Sequence, residues 1–222
     1  MLNPCFQAGI DVMGRRCLVI GGGAEASDKA ERLLAAGARL AVVSPRLDED
    51  LREWKAAGRF EHRERRFDAA DLDGVFLVIN TVPDDPELAR QVYELACRQG
   101  SLINTWDRPA QSNIAMAALV SSGHLRVSIS TSNASPSLAR RLREDLERIF
   151  DDSEFVDYLD GLGRLRARLR ETLPDSRRRS EILRSLAADF RLDANLGIPP
   201  DWRQRIAALM ESSPGDGAGE KQ

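Results

Sequence analysis

The sequence predicts an α/β fold: a doubly wound parallel sheet, then a small β-plus-helix segment, then an α-helical C-terminal domain. Three observations predict it. Short apolar runs alternate with helical spacings as far as Asn104. A glycine triplet, Gly21 to Gly23, separates the first such run from the first helical spacing. From Pro136 onward the spacing is helical throughout. Strands that alternate with helices imply parallel pairing, with helices covering both faces of the sheet.

Cys17 to Ile20 reads as the first strand. Ala26, Ala30, Leu33 and Leu34 then fall on one helical face, and Gly37 stands where a C-terminal cap is expected. Leu40 to Val43 is the second strand, completing a βαβ unit of about 30 residues. Arg59 to Arg66 reads as a short strand and Asp68 to Leu72 as a turn or short helix. Val75 to Asn80 is a buried strand. Pro86 to Gln99 is an amphipathic helix carried by Leu88, Val92, Leu95 and Ala96, and Ser101 to Asn104 is the next strand. Ala115 to Val120 and Leu125 to Ser130 read as strands around a turn at Ser121 to Gly123. Ser135 is an N-cap with Pro136 in the first turn. Ser137 to Phe150, Ser153 to Leu173, Ser176 to Asp189 and Pro200 to Met210 read as helices, and the last residues as a disordered tail. The expected divisions are 1–114, 115–150, 151–211 and 212–222.

Composition narrows the function classes. The 222 residues carry 32 Lys plus Arg against 35 Asp plus Glu, a net charge of −3. That balance speaks against a dedicated nucleic-acid binder. Three cysteines without a C-x-x-C pair point away from a disulfide framework and toward a reducing cytoplasm. With only His62 and His124 besides, no His/Cys metal cage is expected. The N-terminus lacks the layout of a secretory signal, and no apolar run reaches the roughly 18 residues of a membrane span. His62 and His124 are read as surface residues and Trp54 and Trp202 as packing residues. The arginine-rich stretches "RLRARLR" and "SRRRSE" are read as salt-bridged solvated faces.

The glycine turn fits G-x-G-x-x-A through Gly21, Gly23 and Ala26, after a strand and opening a helix. In that context the glycines let a pyrophosphate approach the backbone at a helix N-terminus, the Rossmann-type arrangement. A glycine-rich turn without a ligand is the plainer alternative. The cofactor-binding candidates are Gly21, Gly22, Gly23, Ala24, Glu25, Ser44, Pro45, Arg46 and Thr81. No acid follows the second strand to bind a ribose; Ser44, Pro45 and Arg46 stand there instead, which leaves NAD and NADP both open on the residues alone. Asp107 follows the last parallel strand in "INTWDRPAQSN". It is either a turn-forming Asp before Arg108-Pro109 or a catalytic acid on the ligand-binding edge, between Trp106 and Arg108. The hydroxyl-rich "SISTSNASPSLARR" offers Ser130, Thr131, Asn133, Arg140 and Arg141 as carboxylate-binding candidates before a helix N-terminus.

"CLVIGGGAEASDKAERLLAAGARLAVVSP", "NTWDRPAQSNIAMAAL" and "VSISTSNASPSLARRLREDLE" together resemble the precorrin-2 dehydrogenase family, found alone or as the N-terminal half of fused siroheme synthases. The resemblance runs from about Asn3 to about Phe150. It implies NAD-dependent dehydrogenation of precorrin-2 to sirohydrochlorin, with iron insertion into sirohydrochlorin as a further activity. It makes Asp107 the catalytic aspartate and implies a homodimer interlocked through residues 115–150, which also bind substrate. The chain departs from the family pattern at Glu25, Asp28, Ile114 and Ala117. Thr131 replaces a serine that is phosphorylated in some relatives. The rival function is a sensing domain that binds NAD without chemistry.

Overall fold

The computed structural model describes residues 6–82, 84–193, 201 and 204. It divides into two compact units, Met1–Asp160 and Gly161–Gln222. Trp202, the C-terminal tail and all of the expected helix 200–210 except residues 201 and 204 lie outside the described residues.

In the first unit, five parallel strands form one sheet: β1 (Arg16–Ile20), β2 (Arg39–Val43), β3 (Glu61–Arg63), β4 (Leu77–Asn80) and β5 (Leu102–Thr105), in the order β3-β2-β1-β4-β5. Pleating sends alternate residues to opposite faces. Cys17 and Val19 join the cluster beneath α1 (Ala24–Ala35) and α2 (Glu49–Ala56). Leu18 and Ile20 join the cluster beneath α3 (Pro86–Gln99). Both faces are therefore apolar, and each fully buried Val, Leu or Ile contributes about 1.5–3 kcal/mol of burial free energy.

Helix α2 was not expected from the sequence, although its signals are present. Asp48 caps it by accepting from the Leu51 N–H at 3.0 Å, Glu49 and Asp50 fill its first turn, and Lys55 lies in its last. Its one fully buried residue, Leu51, leaves little apolar periodicity to read. Trp54 packs against the core beside it. His62 is also not simply a surface residue. Its Nε2 lies 3.0 Å from the Ser44 carbonyl, and its Nδ1 is buried with no hydrogen-bond partner among the described residues.

Beyond β5, the antiparallel pair β6 (Ala118–Ser122) and β7 (Leu125–Ile129) carries α4 (Pro136–Phe150), capped by Ser135 as expected. α5 (Ser153–Thr172) follows and runs into the second unit, which also contains α6 (Ser176–Ala187). Among the described residues no helix is long and apolar enough to cross a membrane.

Candidate active site

The strand order reverses between β1 and β4, and crevices form at such switch points beyond the carboxyl ends of the strands. The β1 and β4 loops meet there. Gly21 has φ +114°, and a Cβ on it would lie 2.2 Å from Thr81 Oγ1. Thr81 is itself held by donating to the Ile20 carbonyl at 2.9 Å. A Cβ on Gly22 would lie 1.9 Å from the Arg46 carbonyl oxygen and 2.6 Å from Ser44 Oγ. These two glycines thus exist for protein contacts. Gly23 differs: a Cβ there would meet nothing within 4 Å, so this backbone faces open space. It is also the N-cap of α1 and makes no side-chain cap hydrogen bond. An open backbone before an uncapped helix N-terminus fits a pyrophosphate. Ala24 is exposed on the first turn, and Glu25 pairs with Lys29 at 2.7 Å.

A cavity of about 440 Å³ continues from Ile20 and Gly21 past Ser44, Pro45, Arg66, Val82 and Leu88, with room for a nucleoside. The Ser44 hydroxyl donates to the Arg46 carbonyl at 2.6 Å, so it meets a ribose as an acceptor. Arg46 is exposed at the same turn. The first acid after β2, Asp48, is not the missing ribose ligand. Its Oδ1 caps α2, and its Oδ2 accepts from Ser27 Oγ at 2.5 Å. Its N–H donates to the Gly22 carbonyl at 2.7 Å. Ser27 and Asp48 therefore brace the glycine loop, a role that reading single motifs missed. The residues present fit NAD.

Asp107 lies on the same edge, past β5. Its φ is +54°, a left-handed conformation that Asp tolerates better than most residues. The surrounding loop is tightly bonded. Trp106 N–H donates to the Asn80 carbonyl at 2.9 Å, tying the loop to β4. Asn113 acts as a false strand on the sheet edge: its Oδ1 accepts from Ile103 N–H at 2.7 Å, and its Nδ2 donates to the Ser101 carbonyl at 3.0 Å. Ser112 Oγ accepts from Thr105 N–H at 2.9 Å and lies 3.1 Å from the Arg108 carbonyl. Asp107 is exposed, and its carboxylate joins no ion pair or hydrogen bond among the described residues. Trp106, itself 43% exposed, does not bury it. The carboxylate is thus presented, on a rigid support, with its acceptor capacity open.

The hydroxyl-rich loop lines a second cavity, of about 780 Å³. Ser130, Thr131, Asn133, Arg140 and Arg143 face Lys29 and Arg32 of α1 across it. Ser132 and Asn133 have φ of +51° and +66°, and Thr131 Oγ1 accepts from Ser135 N–H at 3.1 Å. Thr131 therefore shapes the start of α4 as well as lining the cavity. Arg141 does not line it, but turns to Asp145 at 3.4 Å. Asp107 does not line it either. Lys29 and Arg32 were not anticipated, because only the packing of α1 beside the loop brings them there; Arg143, one turn beyond Arg140 on α4, was not anticipated either. Among the described residues no group of three or more His, Cys, Asp or Glu side chains is placed to hold a metal ion.

A family model described as "Putative NAD(P)-binding" matches residues 9–118. A siroheme synthase of Nitrosococcus oceani is 37% identical over 140 residues, 63% of this chain and 30% of that one. The chain thus spans about a third of the siroheme synthases it matches. A precorrin-2 dehydrogenase of Priestia megaterium is 29% identical over 180 residues, 81% of this chain and 88% of the relative. The solved structure of "SirC, precorrin-2 dehydrogenase" is similar with a TM-score of 0.69 and 26% identity, covering 93% of this chain and 96% of that one. The likeness therefore runs past the dinucleotide-binding part into the hairpin and helices: the chain is similar over most of its length to precorrin-2 dehydrogenases and, over about a third of theirs, to siroheme synthases.

Proposed function

We propose that this chain dehydrogenates precorrin-2 to sirohydrochlorin with NAD, residues 1–114 binding the cofactor and residues 115–150 the substrate. The observation that carries this reading is Asp107, held in a left-handed conformation by a bonded loop on the edge that carries the open Gly23 backbone. When bound, NAD supplies the hydride acceptor. Gly23 to Glu25 hold the pyrophosphate through the start of α1, and Ser44 with Arg46 flanks the ribose. Asp107 takes the proton that leaves as the substrate gives up a hydride, so two hydrogens depart and one double bond forms. Ser130, Thr131, Asn133 and Arg140 bind the substrate's carboxylates. Iron insertion would call on Asp107 as acceptor of pyrrole protons, but no observation favours it as the primary activity.

A homodimer suits this reading. Leu138 and Ile149 of α4 are exposed, and a two-stranded sheet with one helix is marginal alone. Buried Cys17 and exposed Cys97, both unpaired, suit a reducing cytoplasm.

The discriminating experiment mixes precorrin-2, NAD and purified protein and follows the sirohydrochlorin spectrum. Asp107→Asn keeps a residue that tolerates positive φ. It is expected to lower turnover by about 10²- to 10⁴-fold while NAD affinity holds. Wild-type protein that binds NAD without ever turning over would instead make the chain a sensing domain.

A further inference from the structure

Several arginines on the helices of this chain pair with an acid on their own helix. Arg140 reaches Glu144, Arg141 reaches Asp145, Arg143 reaches Glu147 and Arg177 reaches Glu181. The second compact unit contains a cluster of a different kind. Arg166 and Arg170 of α5 line a cavity of about 150 Å³ together with Ser176, Arg179, Ser180 and Leu183 of α6. No acid lines it, and neither Arg166 nor Arg170 enters an ion pair among the described residues. The expectation of a uniformly salt-bridged surface fails at this point.

We propose that this cavity is an oxyanion-binding site, taking a phosphate group or a carboxylate of a small polyanion. Three arginine side chains lining one small space concentrate positive charge there, and an anion among them reverses the sign of their mutual interaction. The fittings suit such a ligand. Nη1 of Arg179 donates to the carbonyls of Leu173 and Pro174 at 2.6 and 2.7 Å, which fixes this guanidinium at the bend between the helices and leaves its other N–H groups to a ligand. Ser180 Oγ donates to the Ser176 carbonyl at 3.0 Å, so Ser176 supplies the hydroxyl donor. The N–H groups of Arg177 and Arg178 are already taken by the Asp175 carboxylate. The site therefore works through side chains rather than through the end of α6. At about 30 Å³ per water, the space holds one oxyanion with its hydration and not a tetrapyrrole. Planar arginine forks match phosphate and carboxylate oxygens alike.

Isothermal titration calorimetry on the full chain at low ionic strength tests this, with inorganic phosphate in one arm and citrate in the other. Saturable one-site binding is expected in at least one arm, and the arm that responds identifies the ligand as phosphate or carboxylate. Arg166→Gln and Arg170→Gln should each weaken it by about tenfold or more, the loss of a charge-assisted hydrogen bond. Arg168→Gln, on α5 but outside the cavity, should leave it unchanged. No saturable binding in either arm, or equal weakening by all three variants, overturns the proposal. Folding supplies a second reading. In anion-free buffer Arg170→Gln should melt no lower than wild type, because it removes a repulsion; a lower melting temperature would place Arg170 in a structural contact instead.

Discussion

Gly23→Ala is the direct probe of whether this glycine serves a ligand rather than the fold. Its φ of −98° and ψ of −173° are open to alanine, and the new methyl meets nothing within 4 Å. Losing an N-cap glycine costs about 0.5–1 kcal/mol, while the stiffer unfolded chain returns about 0.4–1 kcal/mol. Stability should therefore stay within roughly 0.5 kcal/mol, a shift of about 2 °C at most for a chain of this size. With a pyrophosphate in that space, the methyl overpacks the contact at about 1–3 kcal/mol, which is about 5- to 150-fold in NAD affinity. Gly22→Ala should do the reverse. Its methyl would sit 1.9 Å from the Arg46 carbonyl oxygen, a backbone atom that cannot swing aside. A loss of about 3 kcal/mol, or roughly 6–12 °C, is expected with or without cofactor. Urea unfolding and a fluorescence titration with NAD on both variants decide the matter. Unchanged NAD affinity in Gly23→Ala would falsify the placement of the pyrophosphate.

Two further outcomes follow from the packing. Asp71, 1% exposed, pairs with Arg63 and Arg65, each at 2.6 Å. Burial acts to raise its pKa, but Arg65, the Asp68 N–H and Arg63 outweigh it and hold the carboxyl at about 2 instead of the ordinary 3.8. Because the folded pKa is depressed, its contribution is complete above pH 3.8 and is lost as pH falls toward 2. That contribution is on the order of 2 kcal/mol; urea midpoints between pH 5 and pH 2 should show this loss in wild type and not in Asp71→Asn, which is already destabilised by about 3–5 kcal/mol. Asn113→Ala should cost about 1–3 kcal/mol, because it leaves the Ile103 N–H and the Ser101 carbonyl unpaired. Hydrogen exchange should quicken at Ile103, and turnover should drop with NAD affinity intact, since Asp107 loses its support while the glycine cradle does not.

Local chemistry made the sheet and its cofactor edge legible. Unbroken apolar runs such as Val75 to Ile79 announce strands buried on both faces, and Gly21 to Gly23 between strand and helix announce the phosphate turn. Helix α2 escaped notice because it buries a single leucine. The core of Ser27 and Asp48 bracing the loop escaped because they lie 21 residues apart, and neither residue carries a motif. The sequence by itself determined the βαβ order, the glycine cradle and the place of Asp107 beyond β5, because these depend on residue spacing within one element and its turn. Only the tertiary structure decided that Gly22 serves packing while Gly23 faces open space. It alone set Asp48 to capping α2 and bracing the glycine loop, left the Asp107 carboxylate exposed and brought Arg166, Arg170 and Arg179 to one cavity. Each of these depends on which side chain from a distant element occupies the neighbouring space, and no spacing rule along the chain carries that information.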